Sequence, residues 1–154
     1  MPSLHRSDPV ITGHVLAEHR ELFHLISEAK LAFNDTGRPL AKRREFAHER
    51  LTTLRDHLHD HFTQEERGGF LEEAVTRMPR LGRRMEEILQ QHPPLLAELD
   101  SLTAALADSH LTAADWRQIG QQFETFVGHL QAHERSENAV VQEGYNEDLG
   151  LADD

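Results

Sequence analysis

Histidine and glutamate recur in this chain at one spacing, twice. His57-Leu58-His59-Asp60-His61-Phe62-Thr63-Gln64-Glu65 and His129-Leu130-Gln131-Ala132-His133-Glu134-Arg135-Ser136-Glu137 both read H-L-x-x-H-x-x-x-E. On a helix, residues four apart stand one above the other on one face. Each copy therefore aims imidazoles and a carboxylate in nearly one direction. A lone histidine precedes each copy at almost the same distance, His19 lying 42 residues before His61 and His92 lying 41 before His133. With 12 His and 17 Glu in 154 residues, a shuffled chain would hold roughly 0.1 copies of H-x3-H-x3-E by a residue-frequency count. Two copies at matched offsets are not composition alone. They describe two helix pairs, each bringing His and then His-x3-Glu to one place.

The elements that must position these groups are helices. The chain is 38% hydrophobic and 28% charged, has few aromatics and lacks strand-like alternation, so an all-α fold is expected. Asp8-Pro9 is a helix start, a capping residue followed by proline in the first turn. The first stripe is Val15, Leu16, His19, Phe23, Ile26 and Phe33, with His14 and His24 on the far side, ending in the turn residues Asn34-Asp35-Thr36-Gly37. Pro39 opens a second helix with Ala47, Leu51, Leu54, Leu58, His61 and Glu65 inward, His57 beside them, His48 and His59 outward, and Gly68-Gly69 as the stop. Phe70 to Met78 is a short helical piece. The third helix carries Leu81, Met85, Ile88, Leu89, His92, Leu96 and Leu99, and Pro93-Pro94 either kinks it or begins a separate helix. Thr112-x-x-Asp115 resembles a capping box. The last helix puts Trp116, Ile119, Phe123, Phe126, Leu130, His133, Glu137 and Val140 on one face, with His129 close by, and should end near Gly144-Tyr145. Short connections between four helices predict an antiparallel up-down-up-down four-helix bundle. Tyr145 lies off the inner stripe and reads as packing at the bundle end.

Composition removes several classes of function. One domain over 1–154 is expected at this length, its core at 8–145 and an acidic frayed tail at 147–154. A net charge of −11 argues against nucleic acid, whose phosphates need clustered Lys and Arg. The one basic run, Lys42-Arg43-Arg44, reads as a solvated helix face. The absence of cysteine excludes disulfides, thiolate metal sites and cysteine nucleophiles. The first residues have no apolar run of a secretory signal, and no stretch has membrane-spanning length, so a cytoplasmic location and no membrane partner are expected.

Burying His and Glu is costly unless they are paired or coordinated. His19, His61, Glu65, His92, His133 and Glu137 fall on the inner stripes of all four helices, and the set points to metal. Imidazole with carboxylate and no thiolate suits iron, manganese or zinc, and six groups are too many for one tetrahedral zinc. Two carboxylates from opposite helix pairs can bridge two ions, each with two imidazoles. The remaining positions can hold water, an oxo or hydroxo bridge, or a diatomic ligand. Two oxo- or hydroxo-bridged non-haem iron ions fit best. His57 and His129, one turn before His61 and His133, read either as partners hydrogen-bonded to a ligand or as extra ligands or proton donors.

At this point the sequence resembles a known family, the hemerythrin-like, HHE cation-binding domain. The resemblance covers roughly residues 10 to 145. It rests on Glu18-His19-Arg20-Glu21-Leu22, His61-x3-Glu65-Glu66, His92-Pro93 and His133-x3-Glu137-Asn138. It implies a four-helix bundle with a non-haem di-iron centre bridged by Glu65 and Glu137. Oxygen-carrying hemerythrins have five histidines, including H-x3-H on the third helix, and an aspartate after the last His. Here His92 is flanked at four residues by Ile88 and Leu96, and the last carboxylate is Glu137. Four His with two Glu resembles the iron-sulfur-cluster repair proteins of nitric-oxide stress and the iron-sensing domain of an F-box ubiquitin ligase. The expected function is binding of, or response to, O2, nitric oxide or peroxide in sensing, stress or iron handling. Such a sensor would signal through a separate protein partner. The alternatives are a di-iron oxidase or peroxidase, or a cluster-repair protein, and after them an oxygen carrier or a zinc-binding structural bundle.

Overall fold

The computed structural model describes residues 9–145, with side chains from Ala17 onward. Val15, Leu16, His14, Asp8 as a cap, and the 147–154 tail fall outside the described residues or side chains. Within them every regular element is helical: α1 (Pro9–Asn34), α2 (Leu40–Glu66), α3 (Phe70–Arg77), a single 3-10 turn (Pro79–Leu81), α4 (Gly82–Gln90), α5 (His92–Leu106) and α6 (Ala113–Tyr145). The four longest helices form a closed set of neighbours: α1 packs on α2, α2 on α5, α5 on α6, and α6 on α1. No helix among the described residues is long and apolar enough to cross a membrane.

The helix ends follow local chemistry. After α1 the Asp35 carboxylate accepts the Gly37 N–H at 3.0 Å, an Asx-type turn. Pro39 caps α2, and α2 stops before Gly68, whose φ of 98° is a conformation that glycine adopts without penalty. Thr112 and Asp115 do form a reciprocal box. The Thr112 N–H donates to the Asp115 carboxylate at 3.0 Å, and the Asp115 N–H donates to the Thr112 hydroxyl at 3.1 Å.

Proline divides the third stretch in two. α4 ends at Gln90 and α5 begins at His92, with Pro93 and Pro94 in its first turn, where their missing N–H costs nothing. Gln91 between them keeps φ −79° and ψ −17°, so the chain changes hydrogen bonding without leaving helical backbone. The new start moves the buried stripe to His92, Leu95, Leu99, Leu102 and Leu106, and Leu96 is only partly buried.

Two apolar clusters result. The larger includes Leu22, Ile26, Leu51, Leu54, Leu58, Phe62, Leu95, Leu99, Phe123, Phe126 and Leu130. The smaller joins Leu71, Ala74 and Leu81 to Ile88, Val140, Val141 and Tyr145. The short helix α3 thus covers one end of α6. On α6, His133 and Glu137 fall between Leu130 of the first cluster and Val140 of the second. The polar layer is sealed by hydrocarbon along the helix axis.

Two expectations are corrected. Phe23 is 61% exposed, because the buried face of α1 runs through His19, Leu22, Ile26 and Ala29. Its centre lies about 90° from Phe23 at 100° per residue. The basic run is not merely solvated: Arg44 donates to the Leu106 carbonyl at the end of α5 at 2.8 Å, and the Arg43 guanidinium lies 5.4 Å from the Trp116 ring centre. These contacts tie α2 to α5 and α6. Tyr145 packs in the smaller cluster with Arg77 4.3 Å over its ring.

Candidate metal centre

Each helix of the closed set delivers its polar residue from an otherwise apolar face. α1 gives His19, α2 gives His61 and Glu65, the start of α5 gives His92, and α6 gives His133 and Glu137. The four imidazoles and Glu137 are buried, and the Glu65 side chain is only 11% exposed.

The six meet in two groups. His19, His61 and Glu137 form one, and Glu65, His92, His133 and Glu137 form the other. Within each group one nitrogen or oxygen per residue lies within 4.8 Å of every other. Glu137 belongs to both. Its Oε2 lies 3.2 Å from His19 Nε2 and 3.7 Å from His61 Nε2, while its Oε1 lies 2.6 Å from His133 Nε2. Glu65 Oε1 lies 3.2 Å from His92 Nε2 and 3.6 Å from His61 Nε2.

Several of these atoms are close without being hydrogen-bonded. His61 Nε2, His92 Nε2, His133 Nε2, Glu65 Oε1 and Glu137 Oε1 are buried and have no partner of acceptable geometry. Two atoms bound at right angles to one ion at about 2.1 Å sit about 3 Å apart. The observed separations bracket that value. Lone pairs converging on a point between the atoms explain short contacts that are not aligned for a shared proton. The residues fit a metal cation.

Electrostatics agree. Burial pushes the Glu65 carboxyl up, and the neighbouring Glu137 charge pushes it further, to about 10. Burial also opposes the Glu137 charge, but the His133, His19 and His61 rings crowded against it hold its carboxyl well below the ordinary range. Burial pushes the His61 imidazole down, and Glu137, Glu18 and Glu65 outweigh it, lifting His61 to about 10. Burial and the His133 ring lower His92 to about 4. Without a cation, one carboxylate charge is tolerated here and a second is not. A cation reverses that balance.

No family model, no curated protein and no solved structure matches this chain. The reading of the site rests on the residues themselves.

His57 and His129 are placed differently from the sequence expectation. His129 is exposed, and its Nδ1 meets the Glu98 carboxylate of α5 at 2.8 Å. His57 is partly exposed and belongs to neither group. Stepping by four residues drifts about 40° per step on an α-helix. With His61 and Glu65 or His133 and Glu137 facing inward, the histidine one step earlier rotates out.

Other residues hold the imidazoles from behind. Glu18 Oε2 lies 3.1 Å from His61 Nδ1, and Gln91 Oε1 lies 2.7 Å from His133 Nδ1. When the ring is neutral, as it is when bound to a cation, an acceptor at Nδ1 receives the hydrogen bond of that N–H and leaves Nε2 as the lone-pair nitrogen facing the carboxylates. Phe62 stacks on His92 at 3.8 Å with the rings 4° from parallel, and meets the His133 ring edge-on at 5.3 Å. None of the three had been given a role from the sequence. The available signals were Glu18 and Gln91 immediately before the two lone histidines, and Phe62 as the one aromatic in the run from His57 to Glu66.

A cleft of about 440 Å³ opens beside the centre between the α4–α5 junction and α6. Gln91, Leu95, His129 and His133 are among its lining residues. It reaches the outer edge of His133 from solvent.

Proposed function

We infer that the chain is a single-domain, antiparallel up-down-up-down four-helix bundle of the hemerythrin-like kind. It holds two non-haem iron ions. His19 and His61 would serve one ion, His92, His133 and Glu65 the other, with Glu137 as the carboxylate shared between them. The observation that carries this reading is the pair of ligand groups sharing Glu137, in which His61 Nε2 on one side and Glu65 Oε1, His92 Nε2, His133 Nε2 and Glu137 Oε1 on the other are buried without a hydrogen-bond partner. Mixed imidazole and carboxylate donors with no sulfur favour iron among the redox-active ions.

Bound iron supplies electron transfer and positions at which a small ligand such as O2, nitric oxide or peroxide can bind. The protein's own residues do the rest. Glu18 and Gln91 orient His61 and His133 through their Nδ1 atoms. Phe62, Leu58 and Leu130 exclude water from one side of the layer, and Val140 and Ile88 from the other. This arrangement suits a gas- or redox-responsive protein; the cytoplasm and a separate signalling partner are part of the same proposal.

The test is exposure of the reduced, iron-loaded protein to nitric oxide and to dioxygen, followed by visible and electron paramagnetic resonance spectra. A nitric oxide adduct is expected, with irreversible iron oxidation in air. A band that forms with oxygen and vanishes on its removal would instead show a carrier. A second reading, a di-iron oxidase, peroxidase or cluster-repair protein, is favoured by the cleft at His133, which admits molecules larger than a diatomic. Sustained peroxide-dependent oxidation of an added electron donor would decide for it.

A further inference from the structure

The two halves of the chain repeat more than their ligands. Glu18 immediately precedes His19 yet holds His61, the histidine of the neighbouring His-x3-Glu. Gln91 immediately precedes His92 yet holds His133. The same place in the two halves performs the same task with one difference, a carboxylate in one and a neutral amide in the other. The donor sets differ too. The group around His61 has three members and the group around His133 has four.

We propose that the two metal positions are unequal and load in order, with Glu18 and Gln91 as separate positioning residues, one for each. This rests on the two-ion reading above. The four-donor position of Glu65, His92, His133 and Glu137 fills first. The His19–His61 position fills second, because it offers fewer protein donors and its shared Glu137 is already engaged. A carboxylate behind an imidazole makes the ring a stronger donor than an amide does. Glu18 therefore compensates the weaker position for its missing ligand, while the stronger one needs only orientation from Gln91. The Glu18 side chain is 42% exposed, so its replacement leaves the core intact.

The experiment is a cobalt(II) titration of the full chain after chelator treatment, followed by visible absorbance. The wild type should take up two equivalents in two steps. Glu18→Ala should weaken the second step about 10- to 100-fold, the range for lost outer partners of metal-bound histidine, and leave the first step in place. Glu18→Gln, which can keep the hydrogen bond but not the charge, should fall between. Gln91→Ala should weaken the first step instead. Two equal steps in the wild type, or both variants weakening both steps alike, would overturn the inference while leaving a two-ion site standing. Uptake of one equivalent or none by the wild type would overturn the two-ion reading and this inference with it.

Discussion

At the scale of the residue, the centre depends on buried nitrogen and oxygen atoms, five of which have no hydrogen-bond partner. His61 and His133 each present Nε2 inward and give Nδ1 to an outer acceptor. His133→Ala should abolish stable metal binding, His61→Ala should lose the second ion, and both should lower the metal-dependent part of the thermal stability. At free metal about 100 times Kd, one bound ion adds about 2.7 kcal/mol, and that contribution should vanish with each ion lost. His129→Ala should keep full metal content, since that ring is 58% exposed and pairs with Glu98. Elemental analysis and melting curves of the three variants check this together. Unchanged metal in both inner variants, or iron loss from His129→Ala, would contradict the placement.

At the scale of the element, one close contact holds the end of the layer shut. The glycine at 144 lets α3 lie directly on α6. A β-carbon there would meet the Ala74 side chain and come within 2.6 Å of Ala74 Cα and 2.9 Å of its carbonyl oxygen. Backbone cannot give way as a side-chain tip can. Gly144→Ala should therefore cost about 1–3 kcal/mol, the usual range for overpacking. A denaturant midpoint equal to wild type would show that α3 docks less tightly than described. The helices themselves were legible in the sequence where one face is uniformly apolar. All eight residues expected on the buried face of α6, from Trp116 to Val140, are buried. The six inner His and Glu were legible for the same reason, because polar residues at those positions interrupt a hydrophobic period. Phe23 and His129 were misplaced because steps of three and four both satisfy a helical pattern. Neighbouring helices choose between them, and sequence periodicity does not contain the neighbours. Glu18 and Gln91 were missed because they serve a histidine on another helix, a relation that exists only after packing.

At the scale of the whole molecule, the polar layer sits between two apolar clusters and makes stability depend on charge. In the metal-free chain Glu65 is pushed from 4.5 up to about 10 and His61 from 6.5 up to about 10. The folded state then holds protons that the unfolded state releases, so each group lowers stability as pH rises between its two values. His92, lowered from 6.5 to about 4, acts oppositely and lowers stability as pH falls through that window. Between 4.5 and 6.5 the Glu65 and His92 effects oppose each other. Above 6.5 the Glu65 and His61 effects add, and the metal-free chain should lose stability steadily toward pH 10. Bound cations replace those protons. The difference in melting temperature between loaded and chelator-treated protein should therefore widen from pH 6.5 to pH 9. A constant difference would show that the layer is not charge-limited.

The most direct test of the central claim is the metal content of the purified chain after iron-replete expression, with visible spectra before and after reduction. About two irons per chain are expected, one for each ligand group, with a near-ultraviolet charge-transfer band that bleaches on reduction. Zinc alone, or no metal with the protein fully folded, would contradict it, and would mean that the buried histidines and glutamates serve one another.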